Sequence, residues 1–348
     1  MNRLLIHLLL WTVPLQGPLE DGERLWGTGE RARALTAWEA ALVEQPGDQA
    51  LRARLVRGAL DAARFELALA HSPGLGPADR GLRGEALYFL ARYEEALEAL
   101  ASDARGQRLA AECLWALGRL EELEERLPAL RRALGERAVE VRRLEARLLL
   151  QRGDDLEAIP LLREVLAQEP LDAEASFALG RALVREGSRQ EGLALLERHR
   201  TLVPLLDALD FARRGVALAP LGAGNQAALA EAWEDLVAHD PGALERAAAA
   251  HDRALELARG AELVPVALRA ARFEAELRGS HEQAARLLAA ALERAGDVRL
   301  RVRRADHLAQ AGDIEEARRE LRRALEQRPG DNAIQQRLRR LETGGAPR

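Results

Sequence analysis

The chain has 348 residues, of which 48% are hydrophobic but only 3% aromatic, and it carries a formal net charge of −5 at pH 7. This acidic balance argues against a general nucleic-acid binder, which would be basic overall. All 51 basic residues are arginine, which excludes a lysine-dependent phosphate loop and Schiff-base chemistry. The single cysteine, Cys113, excludes an intrachain disulfide and a cysteine-based zinc site.

The N-terminal segment has the pattern of an export signal. Arg3 precedes a short apolar run, and no lipoprotein-type cysteine follows it. A single positive charge before such a run is typical of a secretory signal peptide, and the run is too short to span a bilayer comfortably. We therefore expect residues 1–17 to be removed on export to the periplasm or cell envelope. The alternative is a cytoplasmic protein in which this segment forms an apolar cap helix on the first repeat.

A ladder of five residues recurs along the rest of the chain. Glycine comes first, and the other four follow it at offsets of 5, 9, 12 and 17 residues. The ladder occurs as Gly29, Ala34, Trp38, Ala41 and Pro46; as Gly153, Ala158, Leu162, Val165 and Pro170; as Gly187, Gly192, Leu196, His199 and Pro204; and as Gly312, Ala317, Leu321, Ala324 and Pro329. The second and third sets are 34 residues apart, a period typical of a solenoid built from two-helix units.

Each rung has a physical role in a helix pair. The glycine supplies a left-handed residue where the chain reverses between helices, and the small residue lies where the second helix crosses the first. The large apolar residue fills the gap to the next unit, and the proline ends the second helix because it lacks a donor. Ala, Leu, Arg and Glu dominate the composition and are strong helix formers. The sequence therefore predicts an all-α fold.

In chain order, the ladder and its blurred copies predict six units that form an N-terminal array over residues 18–204. The second, third and fourth units keep only part of the ladder, whereas the fifth and sixth match it best, at about 137–170 and 171–204. Proline at the end of the sixth unit is expected to terminate its second helix.

Beyond the sixth unit the period breaks. Residues 205–219 are predicted to form one helix without a clear partner, and residues 222–224 to form a flexible joint. Residues 205–224 are therefore predicted to separate two arrays. A C-terminal array follows at 225–342, and its last helix is polar, as expected for a helix that covers the final hydrophobic face. Residues 343–348 are expected to form a disordered tail.

These features resemble the tetratricopeptide repeat. Part of that family's pattern is matched by Ser176, Leu179, Gly180 and Leu183 in one unit, and by Arg80, Gly84, Leu87, Tyr93 and Ala96 in another. The tryptophan of the pattern is absent from both units. The resemblance covers roughly residues 19–342 and implies a right-handed α-solenoid of about nine helix pairs with a polar C-terminal capping helix. It also implies a non-catalytic scaffold that binds a protein or peptide in its concave groove.

In this family the first helix of each unit lines the groove, which implies a set of partner-binding positions counted back from each ladder glycine. These positions hold arginines and aromatic residues: Arg108, Trp115, Arg143, Arg147, Phe177, Arg181, Arg185, Arg269 and Phe273. Arginine suits carboxylates, and aromatic side chains anchor apolar groups, so we expect the ligand to be an acidic or C-terminal carboxylate segment. The alternative is that arginines fall at these positions by chance in an arginine-rich chain.

No pattern of catalytic or metal-binding residues accompanies the ladder. The seven histidines show no H-x3-H spacing, and Ala285 follows His281-Glu282 where a zinc protease needs a second histidine. The prediction is a protein that is not an enzyme and binds no cofactor, metal or nucleic acid. Two alternatives to a peptide-binding scaffold stay open: a structural subunit of a larger assembly, and an accessory subunit of an enzyme on another chain. The sequence predicts neither the partner's identity nor the oligomeric state.

Overall fold

The computed structural model describes residues 18–343, and within that range every regular element is a helix. Nineteen α-helices occur there, which is nine consecutive pairs and one final helix. This confirms the predicted fold class, an all-α solenoid of helix pairs. The expected signal peptide, 1–17, and residues 344–348 of the expected tail lie outside the described residues. The described chain forms two compact units, 18–126 and 127–343.

The first unit contains seven helices and the start of an eighth. They are α1 (Pro18–Gly27), α2 (Arg31–Glu44), α3 (Gln49–Asp61), α4 (Phe65–His71), α5 (Gly81–Phe89), α6 (Tyr93–Ala99), α7 (Ala104–Ala116) and α8 (Leu120–Leu134). Trp38 of α2 is completely buried, and its ring lies 5.0 Å from that of Trp26. Gly22 and Gly58 allow this packing, because a Cβ at either position would lie under 3 Å from the Trp38 ring.

The second unit contains the end of α8 and eleven further helices. They are α9 (Val139–Arg152), α10 (Asp155–Gln168), α11 (Ala173–Arg185), α12 (Arg189–Leu218), α13 (Ala223–Glu234), α14 (Ala243–Leu257), α15 (Leu263–Glu276), α16 (His281–Ala295), α17 (Val298–Gln310), α18 (Ile314–Gln327) and α19 (Asn332–Glu342). α19 is polar overall but buries Ile334 and Leu341 against the core of α17 and α18. It therefore covers the last hydrophobic face, as a capping helix should.

The ladder glycines have the backbone conformation that the sequence predicts. Gly29, Gly153, Gly187 and Gly312 all have positive φ angles, between 80° and 91°. A side chain in this left-handed region is strained, so glycine is the residue that turns the chain at lowest energy. The small residues five positions later, such as Ala158, are fully buried at the helix crossings. The ladder is thus the set of positions that makes each helix pair.

In two units the ladder is difficult to recognise in the sequence, because alanine occupies the position of its glycine. Ala63 and Ala91 have φ angles of 54° and 56° and turn the chain just before α4 and α6. Ala68 and Ala96 follow five residues later and are fully buried. The second and third units therefore use the same construction as the sharper ones, with a strained alanine at the turn.

The prediction that Pro204 ends the second helix of the sixth unit is wrong. α12 continues through Pro204 to Leu218 and is 30 residues long. A proline inside a helix costs about 3 kcal/mol through a lost hydrogen bond and a clash. Leu202 and Leu209 on either side are 0% and 1% exposed, and burial of each contributes about 1.5–3 kcal/mol, which offsets that cost. The boundary between two arrays at 205–224 stays a prediction.

Candidate partner-binding cleft

The second unit contains a cleft of about 660 Å³, which we call the central cleft. One wall comes from α9 and the turn between α10 and α11, and the other from α12 and the α13–α14 pair. The charged residues that line it are Arg143, Arg147, Glu169, Asp172, Glu174, Arg213, Asp240 and Arg246. Its largest apolar residues are Leu171, Leu206, Leu209 and Trp233. The cleft thus has two arginines on each wall, and most of its large apolar side chains lie on the wall of α12 and α13.

The two arginines of α9 are held by carboxylates of the α10–α11 turn. Arg143 donates from Nε to Asp172 at 2.7 Å and also pairs with Glu169. Arg147, one helical turn away, pairs with Glu174. The Arg143 and Arg147 side chains are only 18% and 12% exposed. Both guanidinium groups are therefore fixed in place before any partner arrives, which lowers the entropy lost on binding.

The turn that holds these arginines is itself fixed by helix capping. Asp172 is the N-cap of α11, and its second carboxylate oxygen accepts a hydrogen bond from the backbone N–H of Ala175 at 2.8 Å. One buried carboxylate therefore satisfies both a helix terminus and the guanidinium of Arg143. This double role places Arg143 firmly against the rim of the cleft.

The opposite wall is built around Trp233, which is 7% exposed. The guanidinium groups of Arg213 and Arg246 lie 5.1 and 4.8 Å from its ring centroid, within the range of a cation–π interaction. Arg246 also pairs with Asp240, whose carboxylate accepts a 2.8 Å hydrogen bond from the backbone N–H of Gly242. The tryptophan is therefore held rigidly beside the cleft.

The charges of the central cleft cancel. Four arginines and four carboxylates line it, so its formal net charge is zero. Two of those carboxylates are accessible to solvent, because the side chains of Glu169 and Glu174 are 45% and 58% exposed. An incoming carboxylate can replace Glu169 at Arg143 or Glu174 at Arg147, because the displaced glutamate side chain returns to water, while Asp172 stays paired with Arg143.

The sequence-predicted residues of α11 lie elsewhere. Arg185 pairs with the buried carboxylate of Asp155 at the start of α10. Arg181 lies over the ring of Phe177, 5.6 Å from its centroid. Phe177 is 39% exposed and its ring also lies 5.0 Å from that of His199. None of these side chains lines the central cleft.

The remaining predicted residues are spread over both units. Arg269 forms a surface ion pair with Glu231 at 3.1 Å. Phe273 was expected in the groove, but it is 1% exposed and packs in the core, so a partner cannot reach it. Arg108 and Trp115 lie on α7 of the first unit and are half-buried. Of the nine predicted residues, the central cleft therefore brings together two, Arg143 and Arg147.

Two segments of the chain match sequence models of the tetratricopeptide repeat, at residues 143–205 and 275–341. The chain contains tetratricopeptide repeats in these two segments. The first matched segment contains α10, α11 and two of the four arginines of the central cleft, Arg143 and Arg147, and the second contains α16, α17, α18 and most of α19. Repeats of this kind serve generally as scaffolds for protein–protein interaction.

Solved structures similar to this chain include other repeat proteins. A thermophilic protein from Thermus thermophilus is 23% identical over 59% of this chain and 100% of that one, with a TM-score of 0.33. A protein from Parabacteroides merdae is 15% identical over 74% of this chain and 97% of that one, with a TM-score of 0.44. The tetratricopeptide-repeat domain of P58(IPK) is 17% identical over 94% and 96%, with a TM-score of 0.27. No curated protein matches the chain.

The apolar wall of the central cleft was missed by sequence reasoning. Leu206, Leu209 and Trp233 all follow Pro204, where the 34-residue period breaks. The positions of Leu206 and Leu209 depend on α12 continuing through the proline. Two features of the sequence could have indicated this wall. Tryptophan is rare, with five in the chain, and the Asp240-Pro241 pair marks the start of a helix.

Three other properties of the described residues concern membrane spans, metal ions and the single thiol. Between residues 18 and 343, no helix combines the length and apolar character needed to cross a bilayer. The same residues include no group of three or more His, Cys, Asp or Glu side chains placed to hold a metal ion. The thiol of Cys113 is buried, and burial raises its pKa to about 11, so it is a poor nucleophile at neutral pH.

Proposed function

We propose that this protein is a non-catalytic scaffold that binds a segment of a partner protein in the central cleft. The segment carries a carboxylate beside an apolar side chain, as the C-terminal residue of a protein does when that residue is apolar. The observation that carries the proposal is the pairing of two walls in one cleft. Arg143 and Arg147 face a carboxylate, and Leu206 with the exposed edge of Trp233 faces an apolar group.

The chemistry of each wall supports this ligand. A guanidinium group binds a carboxylate through two parallel hydrogen bonds, which fixes direction as well as affinity. The arginines are held nearly buried, and the glutamates that occupy them are exposed. An apolar side chain placed against Trp233 removes water from both surfaces, and tryptophan is among the residues that contribute most at protein interfaces.

The test begins with a displayed library of random C-terminal peptides selected on the purified protein. The dissociation constant of a selected peptide is then compared with that of its C-terminally amidated form. The Arg147→Ala variant should bind the free-acid peptide at least tenfold more weakly, because charge-assisted hydrogen bonds are worth about 1.5–3 kcal/mol each. Arg181→Ala is the matched control, since Arg181 lies outside the central cleft. Equal affinities of Arg147→Ala and the unaltered protein, with helix content unchanged, would refute the proposal.

A second candidate function is that of a structural subunit in a larger assembly. It is favoured by exposed apolar side chains along α12: Leu193, Val203, Phe211 and Leu218 are 38–79% exposed. Spacings of eight and seven residues place the last three on one side of the helix. Exposed apolar surface of this kind marks interaction sites. A stable complex in sedimentation experiments, lost in the Phe211→Arg variant, would favour this function over transient peptide binding.

We also propose that the protein is exported to the cell envelope. The support is the order of Arg3 and the apolar run within residues 1–17. Intact-mass measurement of protein from the native organism tests it. A mass that lacks about the first 17 residues is expected in a periplasmic or envelope fraction. Retention of Met1 in a cytosolic fraction would show instead that the segment stays on the mature chain.

A further inference from the structure

A second cleft, of about 820 Å³, lies at the C-terminal end of the second unit. We call it the terminal cleft. Helices α16 to α19 surround it, and its charged and titratable lining residues are His281, Arg303, Asp306, His307, Arg337 and Arg340. Alanine and leucine side chains of α17, α18 and α19 form its floor. The terminal cleft shares no residue with the central cleft.

The terminal cleft is positively charged although the whole chain is acidic. Three arginines and one aspartate line it, which gives a formal charge of +2 with both histidines neutral. Asp306 lies 3.3 Å from Arg337 and 3.8 Å from Arg303, so one carboxylate serves two guanidinium groups. Arg340 forms no ion pair with any residue from 18 to 343. The terminal cleft therefore offers an anionic ligand positive charge that its own carboxylate does not neutralise.

Two histidines stand in direct contact at this cleft. His281, the first residue of α16, and His307 of α17 have their Nδ1 atoms 3.1 Å apart, and their rings are stacked at 5.4 Å. At this distance one nitrogen donates and the other accepts, an arrangement that the pair can keep when it takes up one proton. Burial, the neighbouring His281 and then Arg303 lower the pKa of His307. Among the other residues that line the cleft, the cations Arg303, Arg337 and Arg340 oppose protonation of His307, and the carboxylate of Asp306 favours it.

We infer that the terminal cleft binds an acidic peptide segment of a partner protein, and that it binds more tightly when the histidine pair takes up a proton. Carboxylates bound among the three arginines would remove part of the repulsion that opposes protonation of His307. Binding and proton uptake therefore favour each other, because the coupling between two binding events is reciprocal. A peptide fits better than a small inorganic anion, since the volume and the apolar floor need side chains to fill them.

The probe is a fluorescein-labelled peptide of six glutamates flanked by leucines, compared with the same peptide carrying glutamines. Fluorescence anisotropy is measured at pH 7.5 and pH 6.0, where glutamate with a pKa of about 4.3 stays ionised. We expect saturable binding of the glutamate peptide only, and affinity severalfold higher at pH 6.0. The Arg340→Gln variant should bind about tenfold more weakly at both pH values. Arg200→Gln, which removes a 78% exposed arginine of α12, is the matched control and should bind normally.

The histidines are tested separately from the arginines. His307→Gln should lose the gain in affinity at pH 6.0, because it removes the imidazole whose protonation is coupled to binding. The inference is overturned if the glutamine peptide binds equally well, if Arg340→Gln and Arg200→Gln behave alike, or if affinity does not rise at pH 6.0. Loss of binding in Arg147→Ala but not in Arg340→Gln would place the acidic peptide in the central cleft. That result would overturn this inference and support the proposed function.

Discussion

Replacing Gly192 by alanine should weaken the contact between α11 and α12. Gly192 lies at the crossing of these helices and faces Gly180 on the neighbouring one. A Cβ at Gly192 would lie 2.6 Å from the carbonyl oxygen of Gly180 and 2.7 Å from Cγ2 of Val184. A backbone oxygen cannot rotate away as a side chain can. The added methyl group therefore forces the two helices apart.

The expected size of the effect follows from three contributions. Alanine is favoured over glycine inside a helix by about 1 kcal/mol, and a buried methyl group contributes about 0.8 kcal/mol where there is room for it. At Gly192 there is no room, and overpacking a well-packed contact typically costs about 1–3 kcal/mol. The methyl group gains no burial in the separated pair, but helix propensity offsets about 1 kcal/mol of the overpacking cost. We therefore expect the free energy of unfolding to fall by up to about 2 kcal/mol.

Gly224 provides a matched control in the same unit. It is the second residue of α13, and a Cβ there would meet no heavy atom within 4 Å. Gly224→Ala should therefore leave stability unchanged or raise it by up to about 1 kcal/mol. Urea unfolding followed by circular dichroism gives both values, and hydrogen exchange locates the change in Gly192→Ala to α11 and α12. If both variants are equally stable, the close approach of the two helices is not as described.

Ala158→Trp, at a fully buried crossing of the fifth unit, should cost about 1–3 kcal/mol or more; an unchanged melting temperature would show that the ladder register is wrong. Ala91→Gly should raise the free energy of unfolding by about 0.5–1 kcal/mol in the same urea experiment, because a left-handed φ of 56° strains alanine but not glycine; a loss of stability would contradict this. The lowered pKa of His307 means that the unfolded chain binds the proton more tightly. Stability should therefore be full above about pH 6.5 and fall below it, and melting curves of His307→Gln should show a smaller decrease.

Much of the fold could be read from the sequence because the ladder residues act locally. Gly153 turns the chain and Ala158 fits the crossing wherever they occur, so their spacing alone predicts a helix pair. The same reasoning failed at Pro204, since proline's local preference was outweighed by the burial of Leu202 and Leu209 on one continuous helix. Local signals decide an element's boundary only when tertiary packing does not oppose them.

The candidate site was less predictable, because it depends on contacts between elements. The sequence placed Arg143 and Arg147 on one helical face, which is correct for two residues of α9 four positions apart. Nothing in their spacing indicates that Asp172 and Glu174 would reach back from the next helix pair to hold them. Phe273 was misplaced for a similar reason, since its burial depends on neighbours from α12 to α14.

The continuity of α12 also has a consequence for how the second unit unfolds. In most repeat arrays each pair can separate from the next, because neighbours meet only across an interface. Here a single helix, about 45 Å long, packs against α11 at one end and shares a core with α13 and α14 at the other. If α12 separates from its partner helices at one end, the core at its other end is exposed as well. Local opening in this stretch should therefore be cooperative, with α11 to α14 exchanging their amide hydrogens as one block rather than as two.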